Sequence, residues 1–412
     1  MTGPNVAIAG GGIAGLGLAL NLQRRGFSAR VYEEAPVLKE LGVGITLLPH
    51  AMRELAALGL ADDLIANAVE MRESCFFNRF GQLIYREDRG RAADYPQPEL
   101  GINRGRLHMI LYRAAQDQLS PGSILTDRQA IGVRAEGDCV ALLLRQSSGV
   151  ALDPVPADLV VGCDGVNSAI RRQFYPDEQL AFGGINSWRG VTRMKPILTG
   201  HSYMRIGSIE GGKLVLYPIS QAADGTQLIN WVVNLKSDRP EKNDWNKPGR
   251  LEDFFHLFAD WRFDWLDVPA MLSNAELLLE YPMVDKDPVD AWSFGRVTLA
   301  GDAAHPMYPR GSNGAAQALI DVRVLADHLA STADPLAALA AYENERRPTT
   351  SRIVATNRAN PPDIINIKVA ELTGDKPFTR LDDFISQVEL RALSDGYKRV
   401  AGFARAEPDL LP

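Results

Sequence analysis

Cysteine is scarce: three in 412 residues, at Cys75, Cys139 and Cys163. They are far apart, odd in number and without metal-ligand spacing. That excludes a disulfide framework and a cysteine zinc site, and it fits a reducing cytoplasm. The six histidines are scattered, with no His-x-x-x-His or Glu-x-x-His pair, so no metal site is expected. A long hydrophobic run is also missing. The longest apolar stretch, Val6 to Leu20, is broken by five glycines and is too short to cross a bilayer, so no membrane association is expected. Nor is there an excess of basic charge: 44 Lys and Arg against 51 Asp and Glu leave a net charge of −7, which argues against a nucleic-acid partner. The opening Met-Thr-Gly-Pro-Asn carries no basic side chain and does not resemble a secretory leader, so a cytoplasmic location is expected. What the chain does have is core material, 46% hydrophobic residues, and a length that predicts two or three domains at about 150 residues each.

Asn5-Val-Ala-Ile-Ala9 reads as a short buried strand, followed at once by Gly10-Gly-Gly12-Ile13-Ala14-Gly15 and an apolar helix to Arg25. Gly26 ends the helix and Ala29-Arg-Val-Tyr-Glu33 is the next strand. Within such a βαβ unit each glycine has a task. Gly10 permits the tight turn, Gly12 lets a pyrophosphate approach the amides of Ile13 and Ala14, and Gly15 lets helix and strand pack closely. Glu33, with Glu34 beside it, ends the second strand where a carboxylate can accept from ribose hydroxyls. This motif alone does not separate FAD from NAD.

Two later segments resolve that ambiguity. Arg296-Val-Thr-Leu-Ala300 reads as a strand running into Gly301-Asp302-Ala303-Ala304-His305, then Pro306, Pro309, Gly311 and Gly314. A helix follows, with apolar positions at Leu319, Val322, Leu325, Ala326 and Leu329. Asp302 can hold a sugar or ribityl hydroxyl, and the glycine-rich helix start exposes amides that suit an anion. Asp158 to Val161 is again a strand, leading into Gly162-Cys-Asp164-Gly165 and a polar turn in which Ser168 is placed to cap a helix.

Together the three segments resemble the group A FAD-dependent aromatic monooxygenases, the para-hydroxybenzoate and salicylate hydroxylase-like family, over roughly residues 5 to 350. Trp188-Arg189-Gly-Val, Leu216-Tyr217-Pro-Ile and Tyr281-Pro-Met-Val-Asp-Lys-Asp-Pro are similar to its phenazine-modifying branch. The resemblance implies an α/β fold: a Rossmann-like FAD-binding domain, an inserted antiparallel-sheet substrate domain and a C-terminal helical segment. It implies FAD as cofactor, NADH or NADPH and O₂ as co-substrates, and hydroxylation of an aromatic or heteroaromatic molecule through a flavin C4a-hydroperoxide. By resemblance, Glu33 would bind the adenosine ribose, Arg104 the phosphates or ribityl chain, and Asp302 the ribityl or pyrophosphate region. Asp164 would lie in a segment serving both FAD and the pyridine nucleotide. Gly44 and Ile45 would lie along the flavin edge, and the Gly314 and Ala315 backbone would approach its pyrimidine ring. One departure is Ala316, where many members carry Asn.

The expected FAD-binding domain comprises residues 1–72, 101–180 and 285–350, and the substrate domain 73–100 and 181–284. All six tryptophans lie between 188 and 292, which marks that second domain. Lys213 to Ile219 and Gln227 to Leu235 read as strands joined through Asp224-Gly225. Tyr217, Arg189, His50 and Pro309 are the candidates for the substrate pocket, with a sheet tyrosine, an interdomain ion pair and a satisfied loop histidine as the alternatives for the first three. Residues 351–412 are expected to be helical around a break at Pro361-Pro362, packing on the FAD domain or on a second subunit of a homodimer. Three other functions compete: a flavin oxidase or epoxidase on the same scaffold; a non-catalytic flavin-fold binder, against which the intact Glu33, Asp164 and Asp302 set argues; and a plain NAD-dependent dehydrogenase, disfavoured because the Gly301–His305 segment has no role there.

Overall fold

The computed structural model describes residues 3–40, 42–238, 247–359, 363–400, 402 and 404. Val6–Ala9, four apolar residues with no polar alternation, is buried on both faces and forms the centre of a parallel sheet. Ala29–Tyr32 pairs on one side of it, and Leu159–Gly162 on the other. Val297–Leu299 pairs in turn with Leu159–Gly162. Three strands separated by more than a hundred residues of sequence thus lie side by side and parallel, so the polar segments that follow each of them open on one rim. The chain leaves Val6–Ala9 toward one side and returns on the other, which is the crevice where parallel α/β sheets bind ligands. Ile13–Arg24 and Gly314–Ser331 pack against each other above the sheet. A Cβ on Gly17 would stand 3.3 Å from Leu319 and 3.4 Å from Val322.

The second large sheet has seven strands in the order 277–285, 181–194, 227–236, 212–221, 202–208, 73–77, 83–88. The expected hairpin is present: Gly212–Gln221 and Gln227–Lys236 pair antiparallel, with Gly225 at φ +83° and Asp224 accepting from the Thr226 amide. One face buries Trp188, Trp231, Met204 and Leu216 against Phe254, Phe258 and Trp261. The other face turns Tyr203, Val215 and Tyr217 toward Val43, Val69 and Met71. The small sheet of Gly44–Leu47, Val69–Met71 and Glu99–Asn103 therefore bridges the two large layers, because Leu47, Leu100 and Ile102 pack into the core of the first.

Trp292, within residues 285–350, packs in the parallel-sheet core against His305 and Tyr342, apart from the tryptophans of the antiparallel sheet. Trp245 lies outside the described residues, as does the Pro361-Pro362 break. The C-terminal helices Ile364–Thr373 and Gln387–Val400 pack chiefly on the antiparallel sheet, while Tyr397 of the second also packs on Leu48 and bonds Asn357 on the parallel-sheet side, where the tail was expected. Ile365, Val369, Ile385 and Leu390 cover Phe76, Ile84 and Tyr85 at the edge of the antiparallel sheet. Among the described residues, no helix is long and apolar enough to cross a membrane.

Candidate active site

The first strand end is built from backbone. Gly10 has φ +98°, and a Cβ there would stand 2.5 Å from the Cys163 carbonyl oxygen. A Cβ on Gly15 would lie 1.9 Å from the Gly10 carbonyl oxygen. Gly12 is the reverse case. Nothing stands within 4 Å of its Cβ position, and it caps the helix without a side chain. The amides of Ile13, Ala14 and Gly15 therefore start a helix that faces open space, as a pyrophosphate requires. The Glu33 carboxylate accepts from the Gly11 amide at 2.7 Å and the Ala35 amide at 2.9 Å, which fixes it at the loop. The structure does not bring Glu34 there: its carboxylate accepts from Gln129 on the neighbouring sheet. His108, which no local motif announced, holds the Gly11 carbonyl through Nε2 at 2.6 Å.

At the second strand end the Asp164 carboxylate is a cap. It accepts from Ser168 Oγ at 2.6 Å and the Ala169 amide at 2.8 Å, while Ser168 Oγ accepts from the Arg171 amide at 2.9 Å. What Asp164 presents to the glycine loop is backbone: its Cα lies 3.1 Å from the Cβ position of Gly10. Arg171, fully buried, donates to the carbonyls of Ala303, Ala304 and Asp287 and pairs with Glu178. It thereby clamps the second segment to the third.

In the third segment Asp302 opens into the cleft, yet protein encloses its other sides. That enclosure raises its pKa against the pull of His305 and Arg104. The Cβ position of Gly314 lies 4.0 Å from Asp302 Oδ1, so the acid and the start of the Gly314–Ser331 helix meet. His305 is buried and bonded to Asp321. Arg104 starts its helix as an exposed residue, with Asn103 as the cap. Gly44 donates to Asn230 Oδ1 at 2.7 Å, and a Cβ there would strike Asn230 and Ile219 at 2.7 Å, so backbone alone fits along this edge. Ile45, beside it, is partly buried against the parallel-sheet core.

The antiparallel sheet faces this cleft with side chains in register. Tyr203, Tyr217 and Asn230 form one row; the tyrosine rings stack with centroids 5.1 Å apart and 10° between planes. The next row is Arg205, Val215, Val232 and Arg189, each paired with its neighbour on the adjoining strand. Arg205 is 6% exposed, donates to Ser74 Oγ at 2.7 Å and lies over the rings of Tyr203 and Phe76. No described carboxylate pairs with it. Burial lowers the pKa of Lys213, with Arg310 and Arg205 adding to the effect, although Asp363 meets its ammonium at 2.7 Å. Tyr217 and Arg189 thus share a face of the sheet, and Pro309 is exposed in the adjoining loop. His50 does not join them: it is the second residue of the Pro49–Ala57 helix and bonds Asn313. Arg205 was missed, although Tyr203-x-Arg205 and Lys213-x-Val215-x-Tyr217 carry the period of two that could have placed it.

These features meet the needs of a flavin dinucleotide: an open, uncapped helix start, an acid fixed beside it, and a second acid at a second helix start. The chain matches the FAD binding domain family over residues 4–357. It is 38% identical over 371 residues to the phenazine 1,6-dicarboxylic acid hydroxylase PhzS of Lysobacter antibioticus, covering 87% of this chain and 90% of that one. It is 31% identical over 366 residues to the 3-hydroxybenzoate 6-hydroxylase of Polaromonas naphthalenivorans (strain CJ2), with 86% of each chain covered. The crystal structure of Klebsiella pneumoniae HpxO complexed with FAD and uric acid superposes with a TM-score of 0.73 at 21% identity, over 97% of this chain and 95% of that one. The chain belongs to the FAD binding domain family and is, within it, an FAD-dependent aromatic monooxygenase that takes its electrons from NAD(P)H.

Proposed function

We propose that this monooxygenase acts in the cytoplasm on a flat, fused heteroaromatic molecule with an acidic group at each end. The observation that carries this reading is the row Arg205–Val215–Val232–Arg189. Four neighbouring strands at about 4.8 Å spacing put the two arginine positions about 14 Å apart, with an apolar floor between them. A planar ring system lies on such a floor, and a guanidinium at each rim can take a carboxylate in bidentate fashion. Among the described residues the contacts of the buried Arg205 guanidinium include a hydroxyl and two ring faces but no carboxylate, which is a reason to expect an anion there. A relative 38% identical is named for a phenazine dicarboxylic acid, which agrees.

The cofactor, when bound, would supply the two electrons that activate O₂, one atom of which goes to the substrate and the other to water. The chain positions and shields it. The amides from Gly12 to Gly15 would hold the pyrophosphate, Glu33 the ribose, Asp302 the ribityl chain, and the Gly314 and Ala315 amides the pyrimidine edge. On the substrate side the arginines fix the ring's position, and the Tyr203–Tyr217 stack walls the slot against water. Tyr217 can hydrogen-bond a ring hydroxyl and hold its proton. The test is a panel of fused heteroaromatic di-, mono- and non-carboxylated rings, read as stimulated NAD(P)H consumption with mass detection of a product gaining one oxygen. The dicarboxylates should give the highest kcat/KM. Equal rates across the panel would overturn the two-ended reading.

A further inference from the structure

Asparagine is among the strongest helix N-caps, because its side-chain oxygen accepts from the amides of the first turn. The chain shows this once: Asn103 begins the Arg104–Gln118 helix and accepts from the amides of Gly105 at 2.8 Å and Arg106 at 3.2 Å. Asn313 stands at the same position before Gly314–Ser331, but its backbone is helical, φ −99° and ψ −18°, where Asn103 is extended at φ −65° and ψ 130°, and it makes no such bond. Its oxygen is engaged elsewhere, by His50 Nε2 at 2.9 Å and Gln317 Nε2 at 3.2 Å.

The donor directions follow without ambiguity. Arg346 can only donate. Its Nη2 meets Gln317 at 2.6 Å, so that atom of Gln317 is the oxygen. The Gln317 nitrogen must then donate to Asn313, whose facing atom is therefore its oxygen, and His50 must donate from Nε2. Burial keeps His50 neutral near pH 7, its pKa lowered to about 4, which matches a single-proton tautomer. Arg346 is itself held by Asp321 at 2.8 Å, and the other oxygen of Asp321 accepts from His305 and from the Gly301 amide. All six side chains are buried.

We propose that His50 and Gln317 are positioning residues that keep Asn313 from capping its helix, so that the first-turn amides stay open for the flavin's pyrimidine edge. The inference rests on the placement of that edge at Gly314 and Ala315. Asp321 and Arg346 set the device, and they connect it to the Gly301–His305 segment that presents Asp302. The buried His305, which faces no substrate, thereby has a use: it is one end of the chain of bonds that fixes both flavin-facing segments.

The experiment reads FAD affinity of the apoprotein and the midpoint potential of the bound flavin. Gln317→Leu releases one donor and lets Asn313 turn, backbone and side chain together, to the extended cap geometry that Asn103 shows. FAD affinity should fall about five- to tenfold, the size of one cap, and the potential should drop as the reduced, anionic ring loses amides. His50→Leu attacks the same oxygen from the other side and should do the same, which separates the effect from a folding defect peculiar to one variant. The decisive variants are Gln317→Leu/Asn313→Ala and His50→Leu/Asn313→Ala. With no oxygen left to cap the helix, affinity and potential should return most of the way to wild type. If Asn313→Ala rescues neither, the network merely packs the core and the proposal fails. Ala315→Pro tests the placement beneath it by deleting one amide at a helix position that tolerates proline. An unchanged potential in that variant would show that the flavin edge lies elsewhere, whatever the rescue shows.

Discussion

The two halves of the site are made of different material. The parallel-sheet rim is backbone: glycines at 10, 12, 15 and 314, helix starts without side-chain caps, and acids fixed by amides. The antiparallel sheet is side chain: two tyrosines, two arginines and two valines ordered by register. A cofactor is the same molecule in every relative, and rigid backbone suits a fixed shape. A substrate differs between relatives, and side chains on a sheet can change without disturbing the ladder that carries them. Substitutions should therefore act in opposite ways in the two halves. An added methyl should harm the first half, and a truncated polar group should harm the second.

The largest effect belongs to Gly15. Its Cβ would lie 1.9 Å from a carbonyl oxygen, and that oxygen belongs to the tight turn itself. Gly15→Ala should cost about 3 kcal/mol or more of stability and give colourless protein. Gly12→Ala sharpens the point, because nothing stands within 4 Å of its Cβ position. This variant should melt at the temperature of the wild-type apoprotein and still lose flavin, since the methyl occupies the pyrophosphate's place. Visible absorbance and a thermal melt check both. A fully yellow Gly12→Ala would break the assignment of that space.

The second effect is Arg205→Met, which keeps the stem and removes the charge. The protein should stay yellow with wild-type FAD affinity, while KM for a carboxylated substrate rises about ten- to a hundredfold, the range for a lost charged hydrogen bond. Loss of flavin instead would mean that the two halves are not separable in this way.

The same division explains what could be read in the sequence. Gly10 to Gly15, Glu33, Asp302 and Gly314 belong to local strand–turn–helix motifs, so residues a few positions apart do one task and the pattern survives in one dimension. Arg205 and Arg189 act together only because Gly212–Gln221 and Gln227–Lys236 lie between their strands in a particular register. Register depends on which face is buried, and that is settled by contacts far apart in the chain. His50 shows the same limit from the other side. Its neighbours in sequence left open a pocket residue or a satisfied loop histidine, whereas it lies in the Pro49–Ala57 helix and bonds Asn313, 263 residues away. Asp164 shows that a motif does not say which atoms serve it, since its carboxylate holds the Ser168 turn and its backbone lies against the glycine loop.

The smallest effect concerns the tail that covers the substrate-side sheet. Glu87 on its edge strand accepts from Lys398 at 2.9 Å and Ser394 at 2.7 Å, and it pairs with Arg89 at 3.3 Å. Burial pushes the Glu87 carboxyl up, but Arg89 and Lys398 outweigh it and hold its pKa below the ordinary value of 4.5. A carboxyl with a lowered folded pKa stabilises in full above its unfolded value, and that contribution disappears as pH falls through the folded one. The protection factors of the Gln387–Val400 helix amides, corrected for the slower intrinsic exchange at low pH, should therefore fall as the pH drops below about 4.5, while flavin absorbance, governed by the other half, holds steady across the first part of that fall. Glu87→Gln should abolish the pH step and leave protection uniformly lower by a few-fold. If the helix loosens at the same pH in Glu87→Gln as in wild type, some other acid anchors it, and the tail is tied to the sheet by its apolar contacts with Phe76, Ile84 and Tyr85 instead.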